Sequence, residues 1–354
     1  MFVKKGAATL QKVVVGAGIC CTIAGGITLW KDWDRKSAQS DPETKYAKKL
    51  DGKVYLVTGA NTGIGKSIAW DLAKRKAKVY MLCRDMVKCE EARKEIVLAT
   101  NNKYVYCKPC DLASQKSIKA FVNSFKEQET RIDALINNAG VMNAPRSFSA
   151  DGVEIHLAVN HLGHFLLTSL LTDLIKASGT GSRIVFLVNL DYRKGKIVLE
   201  DLNFKERVYN KSEAFYQSQL ANMLLVKELS KRLIDNGIIV NAAYPGIVNT
   251  SIKRHMGVDK SITGNIIAKP LLWLFPGLSK SPDDGAKTPL FLVLDNETIK
   301  DDKLSSGKLF GAKRQEMEVD SVALDENVAQ KLLLIDEYWT GLKSKEQLVK
   351  TKMS

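Results

Sequence analysis

Eight prolines and six cysteines are few for 354 residues. With only 24 glycines, the chain has neither a collagen-like nor a Pro-rich composition. Six cysteines cannot supply the dense cross-linking of a small disulfide scaffold. Cys107 and Cys110 form one C-x-x-C, with no second ligand pair at a zinc spacing, so no metal site is expected. Cys83 and Cys89 make a poor pair, and the soluble cysteines read as buried free thiols in a reducing compartment. Acidic residues are also scarce, 39 against 53 Lys and Arg, which leaves a formal charge of +14. That balance favours anionic partners such as a phosphorylated cofactor or an acidic lipid. Zinc-finger spacing, RNP-type aromatics and basic heptads are all missing, so nucleic acid is not an expected partner. The 45% apolar and 26% charged content is that of a globular chain with a large core.

One long apolar run is present. Val13 to Trp30 holds eighteen residues without a charge. At ~1.5 Å per residue it spans about 27 Å, close to the thickness of a bilayer core. Trp30 and Trp33 sit where interfacial anchors would lie, and no small-residue cleavage site follows. Residues 1–36 therefore read as a membrane anchor with its flanks, and residues 37–50 as a polar linker. Lys31, Arg35, Lys36, Lys45, Lys48 and Lys49 outnumber the cations before the span. That bias places the main domain on the cytoplasmic or another reducing side. Gly18, Thr22 and Gly26 form a small-residue stripe that could pack against another helix, in a homo- or hetero-oligomer.

From Lys53 onward, short β-branched runs alternate with helical spacing. Strands are expected at Val54–Thr58, Val79–Leu82, Tyr104–Cys107, Ala134–Asn137, Ile184–Val188 and Ile238–Ala243. Helices fall between them, the fourth over Asn160–Leu174 and the fifth over Ala214–Leu233. This alternation predicts an α/β fold with a doubly wound parallel sheet, a Rossmann fold, as a single domain over residues 51–340. Residues 341–354 read as a charged tail.

The first strand runs into Thr58-Gly59-Ala60-Asn61-Thr62-Gly63-Ile64-Gly65, and a helix follows. Glycines in that turn let a pyrophosphate approach the backbone at a helix N-terminus. The second strand ends in Cys83-Arg84-Asp85. Arg84 suits a ribose 2′-phosphate, with Lys66 close to the same region. Asp85 would suit a free 2′-hydroxyl but lies one residue further on, so NADP(H) is preferred over NAD.

These residues resemble the short-chain dehydrogenase/reductase family. Thr58–Gly65 looks like its cofactor loop, Asn137–Gly140 like its N-N-A-G segment, and Tyr244-Pro245-Gly246 like its post-strand turn. Within the family the chain is most similar to membrane-anchored, NADP-dependent retinol dehydrogenases. Cys83–Met86, Ile136–Met142, Val159–Leu167 and Gln217-Ser218 with Leu220-Ala221 carry that likeness. The resemblance implies cofactor contacts from Gly59, Asn61, Thr62, Gly63, Ile64, Gly65, Asp111, Leu112, Asn138, Ala139 and Gly140. It places Pro245, Gly246 and Thr250 near the nicotinamide.

The resemblance also implies catalysis by an Asn, a Ser and a Tyr-x-x-x-Lys pair. Asn160 matches the first. The Ser position holds Asn189, the Tyr position Phe215 and the Lys position Gln219. Shifting the register to use Tyr216 would put Leu220 at the Lys position. Phe215 has no proton to give, and Gln219 has no charge with which to lower a phenol pKa. The reading is an NADP(H)-binding member of the family with impaired catalysis. Its alternative is an active oxidoreductase that interconverts a lipophilic alcohol and carbonyl, with Tyr192, Tyr216 or water as proton donor. The membrane would be that of the endoplasmic reticulum or the mitochondrion.

Overall fold

The computed structural model describes residues 49–248, 280–294 and 306–344. β1 (Val54–Thr58), α1 (Gly63–Lys74), β2 (Lys78–Cys83), α2 (Met86–Thr100), β3 (Val105–Pro109) and α3 (Gln115–Lys126) form the first half. β4 (Ala134–Asn137), α4 (Gly163–Lys176), β5 (Ser182–Leu187), α5 (Lys211–Leu233) and β6 (Ile238–Ala243) follow. α6 (Pro282–Leu294), β7 (Leu309–Phe310), β8 (Glu316–Met317) and α7 (Glu326–Trp339) complete the described chain. The strands make one eight-stranded sheet in the order β3-β2-β1-β4-β5-β6-β7-β8. Every pairing is parallel except β7 with β8. β1, β4 and β6 are buried along their whole length, as expected of central parallel strands covered on both faces. All six expected strands are present. β7 and β8, two residues each, are too short to leave a periodic signal.

The strand order reverses between β1 and β4, so the loops after these two strands diverge and leave a crevice at the sheet's C-terminal edge. Helices cover both faces because their apolar stripes match it. α3 turns Ile118, Phe121, Val122 and Phe125 inward, and Ser114 caps its first turn through the Ser117 amide. α7 buries Leu332 and Leu333, each worth roughly 1.5–3 kcal/mol of transfer free energy. The helix expected from Asn160 begins instead as a π-helical turn over Leu157–Leu162 that runs into α4. Such turns bulge the backbone and recur at functional sites.

The cysteines correct the sequence reading. Cys89 and Cys107 are joined in a disulfide, with 6.0 Å between their Cα atoms. The parallel register sets Cys107 beside Met81, and α2 lays Cys89 over the same residue, its Sγ 3.8 Å from the Met81 carbonyl. Two cysteines eighteen residues apart thus meet across a strand pairing that the sequence does not display. Cys83 and Cys110 remain free and buried, and burial pushes their thiols up to about 11 and about 12. Closing an eighteen-residue separation is worth about 3 kcal/mol of chain entropy. Cys107→Ser is therefore expected to lower unfolding free energy by about that amount, read as a fall in the denaturation midpoint. An unchanged midpoint would contradict the link.

Among the described residues no helix is long and apolar enough to cross a membrane. The Val13–Trp30 run, the linker up to residue 48, Thr250 and the end of the tail lie outside the described residues.

Candidate active site

The crevice is built around Thr58 at the end of β1. Its Oγ1 accepts from the backbone amides of Asn138 and Ala139, both at 2.9 Å. Asn138 returns the contact, its Nδ2 donating to the Thr58 carbonyl at 2.7 Å and reaching the Gly59 carbonyl at 3.4 Å. The loops after β1 and β4 are thereby tied together. Gly59 adopts φ +64°, which a side chain would resist. A Cβ on Gly65 would come within 2.5 Å of both the Gly59 carbonyl oxygen and Asn138 Nδ2. Asn61, Thr62, Gly63 and Ile64 complete the turn at the α1 N-terminus, and Thr62 gives α1 no side-chain cap. A backbone-lined turn at a helix start fits a pyrophosphate. Gly140 continues the half-buried segment that starts with Asn138 and Ala139.

The end of β2 separates the two charges that the sequence set side by side. Asp85 is the N-cap of α2: its carboxylate accepts from the Lys88 amide at 3.1 Å and from Lys88 Nζ at 2.6 Å. Those Lys88 contacts hold its pKa below the ordinary value. Arg84 is exposed and has no partner among the described residues. Lys66, expected close to the same region, pairs its ammonium with Glu95 on α2 at 2.5 Å. At the end of β3, Asp111 accepts from the Ala113 amide, and Leu112 is buried with its carbonyl against Gly163.

Asn160 sits in the π turn with every polar group engaged. Its Oδ1 accepts from the Val141 amide at 2.7 Å, and its Nδ2 donates to the Val141 carbonyl and to Ser218 Oγ. Its backbone carbonyl accepts from Asn222 Nδ2 and His164 Nδ1, both at 2.9 Å. With that proton on Nδ1, His164 Nε2 accepts from the Thr58 hydroxyl at 2.9 Å. His164 is therefore neutral, and burial drives its pKa down to about 4. His161, also fully buried, donates from Nδ1 to Asn222 Oδ1 at 3.1 Å and from Nε2 to Asp336 on α7 at 2.9 Å. Asn222 must turn Oδ1 to His161 because its Nδ2 serves Asn160, so both ring nitrogens of His161 carry protons. This layer of Thr58, His161, His164, Ser218 and Asn222 was missed in the sequence. Thr58, His161, His164 and Ser218 stand there only within the stretches that carry the family likeness, and Asn222 stands in none of them.

The three substituted positions converge at the ends of β5 and the start of α5. Gln219 Oε1 accepts from the Asn189 backbone amide at 2.9 Å. Asn189 Oδ1 accepts from the Asp191 amide at 2.9 Å and caps the turn Leu190–Lys194. Phe215 is buried, its ring edge-on to His156 with 6.3 Å between centroids. His156 is locked between Glu154 at 2.7 Å and the Ala144 amide at 3.1 Å. Tyr192 cannot serve as a substitute donor: it is fully buried, and its hydroxyl accepts from the Asp320 amide at 2.9 Å. Tyr216 is half-buried, with Lys194 Nζ 5.4 Å from its ring centroid. Pro245 and Gly246 follow β6 half-buried, Gly246 at φ +86°. Among the described residues no group of acidic, His and Cys side chains could hold a metal.

A glycine turn on β1, an N-N-A-G segment bonded to it and a sheet that reverses order beside them define a dinucleotide-type oxidoreductase fold. Residues 53–260 match the short chain dehydrogenase family, and the chain belongs to it. It is 42% identical over 323 residues to retinol dehydrogenase 13 of Homo sapiens, covering 91% of this chain and 93% of that protein. It is 45% identical over 246 residues to retinol dehydrogenase 11 of Mus musculus, covering 69% of this chain and 74% of that protein. Among solved structures, an uncharacterised protein of Mycobacterium paratuberculosis aligns with a TM-score of 0.64 at 28% identity, over 83% of this chain and 95% of that one. The NADP complex of Pseudomonas aeruginosa RhlG aligns with a TM-score of 0.58 at 23% identity, over 75% of this chain and 96% of that one, and shares the fold.

Proposed function

We propose that this chain is an NADP(H)-binding protein of the retinol dehydrogenase type whose catalytic step is impaired. One observation carries the reading: Gln219 binds the Asn189 backbone amide, so the positions of a Tyr–Lys pair hold a hydrocarbon ring and a neutral amide already engaged. Bound NADP(H) would supply or take a hydride. The turn from Gly59 to Gly65, with Asn138, Ala139 and Gly140, would hold its pyrophosphate. Asp111 and Leu112 would flank the adenine, and Pro245, Gly246 and Thr250 the nicotinamide. NADPH titration beside single-turnover kinetics with retinal tests the whole reading: tight binding with slow or absent turnover is expected.

Arg84 would meet the 2′-phosphate, since Asp85 is engaged in capping α2. Arg84→Ala is expected to weaken NADPH binding by roughly tenfold to a hundredfold, the range of a hydrogen bond to a charged group, with NADH nearly unchanged. Equal losses for both nucleotides would reject the assignment.

The second reading, an active oxidoreductase on a lipophilic alcohol or carbonyl, is favoured by Tyr216, a phenol beside a cation. It stays second because Tyr216 follows the Phe215 position instead of filling it.

Residues 13–30 would anchor the chain to a membrane of the endoplasmic reticulum or mitochondrion. Removal of residues 1–36 is expected to release a soluble, folded domain, and continued sedimentation with membranes would require a second contact. The Cys89–Cys107 link would favour an oxidising compartment, which weighs against the reducing side expected from the flanking cations.

A further inference from the structure

We propose that the Cys89–Cys107 link is a redox control on the adenosine end of the cofactor site. Closed, it holds Arg84 ready for the 2′-phosphate of NADP(H); opened by a thiol such as glutathione, it lets that grip go. The inference rests on the reading above, in which Arg84 meets the 2′-phosphate. Arg84 lies inside a ring. From Cys83 the chain runs through Arg84 and Asp85 into the first turn of α2, where the Cys89 amide donates to the Asp85 carbonyl at 3.1 Å. The link crosses from Cys89 to Cys107 on β3. Just beyond β3 the Cys110 amide donates back to the Cys83 carbonyl at 3.0 Å and closes the ring. Asp111, assigned to the adenine, follows directly.

Little else holds the start of α2. Of its 15 residues only Cys89, Ala92 and Ile96 are buried, while Val87 and Leu98 are exposed. The Lys66–Glu95 pair is a surface contact of small worth. The far end is fastened: Lys76 Nζ donates to the Thr100 carbonyl at 2.8 Å, and Asn102 Nδ2 to the Ala73 and Ala77 carbonyls at 3.0 and 2.8 Å. Opening the link therefore loosens the end that carries Arg84 and Asp85 while the other end stays fixed. A reduced Cys89 thiol keeps an acceptor in the Met81 carbonyl, so the helix loosens without leaving the sheet. Cys107 is half-buried on the edge strand and Cys89 fully buried, so attack falls on Cys107. One glutathione thiolate bonds to the Cys107 sulfur and releases Cys89 as a thiolate, which takes a proton. A second attacks the glutathione sulfur of that mixed disulfide, leaving Cys107 reduced and glutathione disulfide as product, with two electrons passed to the link. The buried Cys83 and Cys110 thiols, with raised pKa values, do not compete.

The test is a fluorescence titration of the full-length chain in detergent with NADPH and NADH, after equilibration in glutathione buffers, with the link read by alkylation and mass. The closed chain is expected to bind NADPH about tenfold more tightly than the opened chain, the low end for a hydrogen bond to a charged group, with NADH changed far less. Linkage requires the reverse effect. Saturating NADPH should raise, by the same factor, the ratio of squared glutathione to its disulfide that opens half of the links. In Arg84→Ala the dependence of NADPH binding on the link should vanish. Cys107→Ser should bind as the opened chain does, and if that variant fails to fold, the glutathione series on the unmodified chain decides. Equal NADPH affinity in the two states would overturn the control while leaving NADP(H) binding standing. A dependence retained in Arg84→Ala would overturn the route through Arg84. Cys89 and Cys107 sulfurs that stay open to alkylation in glutathione disulfide alone would overturn the link and the proposal with it. Failure of NADPH to bind in either state would overturn the cofactor reading together with this proposal.

Discussion

Replacing Asn189, Phe215 and Gln219 together by Ser, Tyr and Lys is expected to raise turnover of retinal with NADPH by about 10²- to 10⁴-fold, the usual worth of a positioned acid. Positions 215 and 219 lie one turn apart on α5, on one face of the helix. A phenol at 215 alone keeps its ordinary pKa near ~10 and helps little. The lysine at 219 lowers that pKa, so the two changes act as a unit. Gln219→Lys also removes the acceptor of the Asn189 amide. Asn189→Ser keeps a side-chain oxygen for the Asp191 amide, because serine caps turns about as well as asparagine. Single changes should each yield less than about tenfold, and the gain should appear mainly in the triple variant. Turnover at ordinary enzyme rates by the unmodified chain would defeat the impaired reading, and Tyr216→Phe would then locate the acid.

Asp336→Ala is expected to destabilise the domain by about 3–5 kcal/mol, the cost of stranding one member of a buried ion pair. His161 is fully buried and holds a proton on each nitrogen. Burial alone would push its pKa down. The Asp336 charge, with hydrogen bonds to Asp336 and Asn222, outweighs burial and raises it above the ordinary value. A raised folded pKa means that the native state binds the proton more tightly than the unfolded chain does. The pair's contribution is thus complete below about pH 6.5 and is lost as pH rises through the folded value. Urea unfolding followed across that range should show stability falling with pH in the unmodified chain. The same slope should be absent in the Asp336→Ala variant, and a slope retained there would assign the effect elsewhere.

Much of this architecture is legible in one dimension. Val54–Thr58 followed by the Gly59–Gly65 turn announces a strand, a phosphate turn and a helix, because local spacing alone encodes them. The substitutions at 189, 215 and 219 are equally plain. Hidden were features that depend on which strands become neighbours. Cys89 meets Cys107 only through the β2–β3 register. Tyr192 looked available, yet it lies under the chain at Asp320, 128 residues away. Asp85 and Arg84 differ by one residue in sequence, and only the helix start decides that the acid caps while the cation points outward. The π turn at Asn160 has no signature in a run that reads as ordinary helix.

The Cys89–Cys107 link lies within one strand–helix–strand unit and can close without waiting for the rest of the sheet. Its sulfur atoms therefore record the chemistry of the space in which that unit first folds. A thiol-alkylation map of this peptide pair, taken from intact cells, becomes a topological probe. Protected sulfurs place the domain across the membrane from the cytosolic thiol pool, and reactive ones place it alongside that pool.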